Sequence, residues 1–591
     1  MGGHSFCGLK YSSLLHGHHD TWKQKLWILP TTSNNCNRNY RFGAQYCCQA
    51  PHLEFSKPSV KAQMSTFENL TEEVNPVEVV WPSPDDEIPF WKQDFSSKLR
   101  NFNRAYAKVS QQPVGQDSEK LHVVHVTAEM APLAKVGGLA DVVTGLARAC
   151  LNMGHKVEVM LPFYECLPRD QITELTTAEE FSSFHTGDWS VVKLYRGKVS
   201  GIPVLLIEPS NHFFKGSRIY GGSYNELEAY LFFSRACLEW MQVTGTQPDI
   251  LHVHEWQTSG LPLLYWDMYH HLSLKKPRIV LTIHNMEHYG ECRVEQLSMC
   301  GLDGPAYGTI EKAIDDRTIG HNPERLSLLK GGIVYSNAVT FSGILNGIDT
   351  ILWDPSRDPY LPARYDALQV EGKQICKQYV QRGLGMEVSD PQLGLNSHSK
   401  PIVVCITRLV AQKGIHLIRF AIDRLNQLGG QFILLGTAPD WRIQGEFENL
   451  VHQHKRGNSV RLLLTYSEEL AHMLYAAADF VLVPSMFEPC GLTQMIGMRY
   501  GAIPVVRKTG GLADTVYDMD DPSNTHKANG FLFEGIDEGS LNGALERAFK
   551  YYLENPNGWT SLISRVMSLD NSWERSARDY VSLYKSVQVR W

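Results

Sequence analysis

The 591-residue chain lacks any uninterrupted apolar stretch long enough to cross a bilayer; its longer apolar runs, such as Ile333 to Ile344, are broken by polar residues, and no transmembrane segment is expected. It lacks an excess of positive charge, with 56 Lys and Arg against 63 Asp and Glu and a net charge of −7, so there is no basic footprint for nucleic acid or an anionic membrane. Its 12 cysteines include no Cys-x-x-Cys pair. Neither a zinc site nor a disulfide framework is supported, and reduced thiols are expected. No heptad pattern is sustained over several repeats, which excludes a long coiled coil. Acid is nearly absent from the first fifty residues, where Asp20 stands alone against Lys10, Lys23, Lys25, Arg38 and Arg41. Residues 1–51 therefore read as an organelle transit peptide or a disordered tail. Residues 52–120 are polar, Pro-containing and acidic around Glu68 to Glu87, with one helix expected near Trp91 to Val109; this is a linker or docking arm.

A hydrophobic content of 43% over this length is enough to bury two sizeable cores. Apolar strand-like runs alternate with helical ones. In the first domain, 121–341, strands are expected at His122 to Thr127, Lys156 to Leu161, Ile202 to Ile207, Asp249 to His254, Ile279 to Ile283 and Ile333 to Val339. In the second, 342–575, they are expected at Ile402 to Ile406, Phe432 to Leu435, Val460 to Leu464, Phe480 to Val483 and Ile503 to Val506, and a last helix occupies 576–591. The pattern is α/β: two doubly wound, Rossmann-like parallel domains facing across a cleft.

Three strand-to-helix loops carry chemistry. Lys135-Val-Gly-Gly-Leu-Ala-Asp141 puts Gly137 and Gly138 before a helix, where backbone N–H groups and the helix dipole favour an anion and Lys135 adds charge. Its alternative is a turn that only packs helix on strand. Ile402 to Gly414 places Arg408 and Lys413 in a second such loop, and Pro484 to Gln494 places Glu488 in a third. All three lie at carboxyl ends of strands, the edge that binds ligands in open parallel sheets. His252 and His254 point to one strand face, as metal ligands do, but without a third ligand at motif spacing no metal is expected.

These segments, with His252-Val-His-Glu-Trp-Gln257, Thr282-Ile-His-Asn285, Ile344-Leu-Asn-Gly-Ile-Asp349 and Lys508-Thr-Gly-Gly-Leu512, resemble those of starch and bacterial glycogen synthases from about His122 onward. Within that family the chain most resembles the granule-initiating plant class and its atypical relatives. The resemblance implies a GT-B glucosyltransferase that acts with retention, takes ADP-glucose as donor substrate without a cofactor and extends an α-glucan in a plastid, with granule-initiation proteins as partners. It further implies that the nucleotide sits mainly on the second domain and the acceptor on the first. Glu488, His284, Asp141 and Glu255 would be catalytic, and Lys135, Gly137, Gly138, Asn346, Arg408, Lys413, Gly491, Leu492 and Thr493 would bind substrate. The base is not fixed by physical argument, and UDP-glucose is the alternative donor. Bland readings stay open: Glu488 as an N-cap carboxylate, Asp141 as a helix-start acid and His284 as a satisfied strand-end histidine.

Three departures from the family pattern stand out. Glu255 replaces aspartate, lengthening a carboxylate expected near the reacting sugar. His288 and Tyr289 replace sugar-facing groups. The run Ile333 to Val339 passes through Thr340, Phe341 and Ser342 directly into another apolar run, Gly343 to Leu345, where relatives carry several dozen residues and a parallel crossover needs a dozen or more. Either a very short hinge joins two domains there or one strand is lost. The alternative function is accordingly a catalytically impaired relative that binds glucan or scaffolds granule initiation.

Overall fold

Short runs rich in valine, isoleucine and leucine, buried on both faces, form most strands of two sheets in the computed structural model, which describes residues 79–102, 117–221, 225–286, 288–309, 319–320, 322–341, 343–388, 400–488 and 491–588. The expected transit segment and the later part of the expected helix near Trp91 to Val109 lie outside the described residues.

The first sheet takes β1 (His122–Val126), β2 (Lys156–Pro162), β3 (Ile172–His185), β4 (Asp188–Val199), β5 (Ile202–Pro209), β6 (Ile250–His254) and β7 (Arg278–Ile283). A two-stranded pair, β8 (Glu291–Cys292) and β9 (Leu326–Ser327), stands apart, and β10 (Ala338–Phe341) completes the large sheet in the order β10-β7-β6-β1-β2-β5-β4-β3. The sheet is mixed rather than wholly parallel, because β3, β4 and β5 pair antiparallel. The tight turn Thr186-Gly187, both at positive φ, closes the β3–β4 hairpin in the manner of a two-residue loop. Sequence reading passed over these strands because much of β3 faces solvent and lacks an apolar signature.

The second sheet holds β11 (Ile402–Ile406), β12 (Gln431–Leu435), β13 (Val460–Leu463), β14 (Phe480–Val483), β15 (Ile503–Arg507) and β16 (Phe531–Phe533), all parallel, in the order β13-β12-β11-β14-β15-β16. The helices that position the site are α1 (Gly138–Asn152), α2 (Leu328–Tyr335), α3 (Leu492–Arg499) and α4 (Trp573–Gln588).

Two expectations are corrected. Ile333 to Tyr335 end helix α2, which Ser327 caps by accepting from the Lys330 N–H at 3.2 Å; the strand begins only at Ala338. Tertiary packing overrides the β preference of Ile333 and Val334 here: Gly331 and Gly332 leave just enough room for Leu263 and Ser259. The run Gly343 to Leu345 is not a strand, so no crossover is required. β10 is the edge strand of its sheet, and from Phe341 the chain leaves for the second core, which Ile348 enters.

Both ends of the described chain pack on the domain remote from them in sequence. Residues 79–102 dock on the second domain: Phe90 is 1% exposed, stacks edge-on to Tyr379 and belongs to that core, and Arg382 lies over the Trp81 ring. Helix α4 returns to the first domain, where Trp573, Tyr580 and Tyr584 join its core and Lys585 pairs with Asp117 at 2.7 Å.

Candidate active site

At the end of β1 the chain turns at Glu129, whose Oε2 accepts N–H groups from Val136 at 3.0 Å and Gly137 at 2.9 Å, and whose Oε1 accepts from the Tyr220 hydroxyl at 2.7 Å. Part of the loop expected to face an anion is therefore committed to a buried carboxylate. The donors left at the helix end begin with Gly138. Gly137 is extended at φ −148, so its backbone does not demand glycine; a Cβ there would point into open space, and one on Gly138 would meet the Leu492 side chain at 3.8 Å. The first turns of α1 and α3 thus face one another across the cleft.

Lys135 pairs with Asp141 at 3.0 Å. Burial raises the Asp141 carboxyl and the Lys135 charge opposes this, leaving it above the usual carboxylate range. Burial pulls the Lys135 ammonium down, but Asp141, Glu468 and Tyr466 overcome that and hold it above the usual lysine range. Glu468 and Tyr466 belong to the second domain, so the two domains are electrostatically coupled here. Tyr466, 72% exposed beside this pair, was missed from sequence; a lone aromatic in a polar loop gives no signal without its neighbours.

On the second domain, Lys413 ends the turn Ala411–Lys413 and pairs with Glu488, whose Oε2 also accepts from the Ser485 hydroxyl at 3.0 Å. Gly414, at φ +72, has no room for a Cβ against the Pro484 carbonyl. Further bonds stitch the loops after β11, β14 and β15 together: Met486 N–H to the Gln412 carbonyl at 2.7 Å, Gly511 N–H to the Glu488 carbonyl at 2.9 Å, and Arg507 to the Met486 carbonyl at 2.6 Å. Gly491, left-handed at φ +60, is the residue before α3, and half-buried Leu492 and Thr493 form its first turn. Arg408 is exposed and makes no ion pair among the described residues, and Asn346 lies half-buried in the segment after β10.

Glu255 follows β6 at φ +64, a left-handed position. Its Oε1 accepts the N–H groups of His284 and Asn285, the latter at 2.7 Å, tying the end of β6 to the end of β7. Its carboxylate acts on backbone, and burial outweighs those two bonds and pushes its pKa up to about 8. His284 is buried, and its Nε2 lies 3.2 Å from His254 Nδ1; burial holds its pKa down to about 4, so the imidazole is neutral. His254 Nε2 in turn lies 3.1 Å from His125 Nδ1. His125 is the third histidine that sequence spacing did not supply: it sits opposite His252 in the β1–β6 register, and the ligand nitrogens of His125, His252 and His254 lie within 4.8 Å of one another. Only strand pairing reveals it. His288 and Tyr289 are exposed, with the Tyr289 hydroxyl on Glu291 at 2.6 Å.

Two α/β domains with ligand-binding loops facing across a cleft, joined by short crossings, define a GT-B glycosyltransferase fold. Residues 122–342 match the family model for the starch synthase catalytic domain, and residues 390–559 match that for glycosyl transferases group 1. The chain is 42% identical over 514 residues to a probable starch synthase 4, chloroplastic/amyloplastic, from Arabidopsis thaliana, covering 81% of this chain and 48% of that protein. It is 40% identical over 503 residues to a glycogen synthase from Protochlamydia amoebophila (strain UWE25), covering 80% of this chain and 100% of that one. The solved catalytic domain of starch synthase IV from Arabidopsis thaliana, bound to ADP and acarbose, superposes with a TM-score of 0.75 at 42% identity, over 80% of this chain and 100% of that one. The chain belongs to the starch synthase and bacterial glycogen synthase family. It spans about half the length of the plant starch synthase 4.

Proposed function

We propose that the chain transfers glucose from ADP-glucose to the non-reducing end of an α-1,4-glucan with retention. The observation that carries this reading is the approach of two helix N-termini, at Gly138 and Leu492, flanked by the Lys413–Glu488 pair. A diphosphate leaving group needs cations and oriented donors; Lys413, Arg408 and the first turn of α3 supply them. Lys413 would exchange Glu488 for the diphosphate, freeing that carboxylate to accept sugar hydroxyls. Neutral His284 would meet the transferred glucose, and Glu255 would hold it there by anchoring its backbone. The Lys135–Asp141 pair at the start of α1 would face acceptor and sugar. Closing the cleft would exclude water from an oxocarbenium-like centre. The relative solved with ADP and acarbose supports binding of a nucleotide and a glucan, and the chloroplastic/amyloplastic relatives support a plastid setting. Granule-initiation proteins are the partners that the family resemblance implies. The donor is a substrate, and no cofactor or metal enters the scheme.

The test is incorporation of labelled glucose from ADP-glucose into maltooligosaccharide by the purified chain. Removing a preorganised cation at a developing anion costs roughly 10²–10³ in kcat, so Lys413→Ala should fall by that factor, and Glu488→Ala, which loses the carboxylate proposed to hold sugar hydroxyls, should also fall sharply. Elongation undiminished in both variants removes the site assignment. Glucan binding without turnover by the folded chain would replace this reading with a scaffold role.

A further inference from the structure

His284, His254 and His125 form a head-to-tail file of imidazoles running from the cleft into the sheet, with nitrogen separations of 3.2 and 3.1 Å. All three are buried. Burial holds each below the ordinary histidine range, so each carries one ring proton and the file has a direction. His125 Nε2 decides which, because it is buried and has no hydrogen-bond partner among the described residues. If protons pointed inward, His284 Nε2–H to His254 and His254 Nε2–H to His125, then His125 would keep its proton on that partnerless nitrogen. A buried N–H without an acceptor is rarer and costlier than a buried lone pair without a donor. The outward direction leaves only the lone pair unmatched: His125 Nδ1–H donates to His254, and His254 Nδ1–H donates to His284 Nε2.

We infer that His125 and His254 are positioning residues that fix His284 in the Nδ1–H tautomer. His252 stands beside the file rather than in it. Its Nδ1 is engaged by the Tyr584 hydroxyl at 2.8 Å and its Nε2 by the Thr282 hydroxyl at 2.7 Å, while its ring packs against that of His254 with centroids 4.1 Å apart. The same bonds weigh against reading His125, His252 and His254 as a cation site, since a metal would have to break a bond at both His252 and His254. That His284 faces substrate rests on the proposed function; its tautomer does not.

Solid-state NMR of the full chain carrying ¹⁵N-labelled histidine rings reads the tautomer directly, with the His284 signals assigned by their loss in His284→Asn. The wild type should show a protonated Nδ1 and a bare Nε2 at His284. His125→Leu, which cannot donate to His254, should let His284 populate the other tautomer, and His125→Asn, whose amide can donate, should restore the first. A wild-type His284 protonated on Nε2, or a spectrum unmoved in His125→Leu, overturns the inference. So does one equivalent of zinc that copurifies with the wild type and is lost in His125→Leu. If the leucine variant does not fold, the wild type and His125→Asn still decide. These readouts stand whether or not the chain transfers glucose. Where it does, kcat should fall in His125→Leu and recover in His125→Asn with KM unchanged.

Discussion

Replacing Glu255 with glutamine isolates a competition between two physical effects at one carboxyl. Burial disfavours its ionised form, while the N–H groups of His284 and Asn285 favour it. Burial wins, and the folded chain keeps this proton to about pH 8 where an ordinary glutamate releases it near 4.5. Between those values the folded state binds more protons than the unfolded one, so stability falls as pH rises through the window. At 1.36 kcal/mol per pKa unit the loss is about 5 kcal/mol over the whole window, most of it between pH 5 and 8. Solvent screening does little to reduce it, because Glu255 is 6% exposed. Glutamine keeps the carbonyl that accepts both N–H groups and cannot ionise. Thermal unfolding of wild type and Glu255→Gln from pH 5 to 8 should therefore show similar midpoints at pH 5 and a gap on the order of 10 °C at pH 8, with the variant more stable. Parallel profiles would refute the reasoning, because they would mean that the two N–H groups hold the carboxylate ionised throughout.

Three further substitutions test other parts of the structure. Lys135→Met removes a partly exposed ion pair, so stability should change by less than about 1 kcal/mol while KM for substrate rises; thermal unfolding and steady-state kinetics separate the two. Gly145→Ala improves intrinsic helix propensity by about 1 kcal/mol, yet its Cβ would overlap the Trp573 indole, and the net effect should be a destabilisation of about 1–3 kcal/mol in denaturant unfolding. Phe90→Ala empties a site 1% exposed in the second core and should cost about 3–5 kcal/mol, seen as a lower unfolding midpoint and faster proteolysis within residues 79–102.

What was legible in the sequence follows from how local its cause is. β1, β6, β7, β11, β12 and β14 are short apolar runs buried on both faces, and their composition alone marks them. The Lys413 and Glu488 loops were legible because turn, charge and flanking strand are contiguous, and the structure pairs these two residues. The β3–β4 hairpin escaped because its strands are largely solvated. Ile333 to Tyr335 misled because β-branched residues end a helix whose glycines pack on neighbours distant in sequence. That the Glu255 carboxylate, expected near the reacting sugar, accepts the backbone N–H groups of His284 and Asn285 also had no local signal. No local pattern foretold that His125 would meet His254, because their contact depends on β1 and β6 being adjacent, or that Tyr584 would reach His252 across 332 positions.

The sequence left open whether a very short hinge joins the two domains after Val339. The structure shows how one is built. Ile348 donates its N–H to the Asn571 carbonyl at 2.8 Å and bridges Ser572, so the outgoing crossing runs beside the returning one that leads into α4. Gly347 is required there, since a Cβ would lie 2.6 Å from the Trp573 backbone. The two crossings form a paired hinge, and each is anchored beyond it, one by Ile348 in the second core and the other by Trp573 in the first. Rotation about such a pair needs dihedral change in only a few residues of each segment, and it leaves both cores intact. A rotation of this kind would move Gly138 against Leu492 and Phe341 against Phe487, whose rings lie 6.3 Å apart across the cleft. A short hinge is therefore compatible with closure, because the pairing of two crossings, rather than the length of one, would set the axis of rotation.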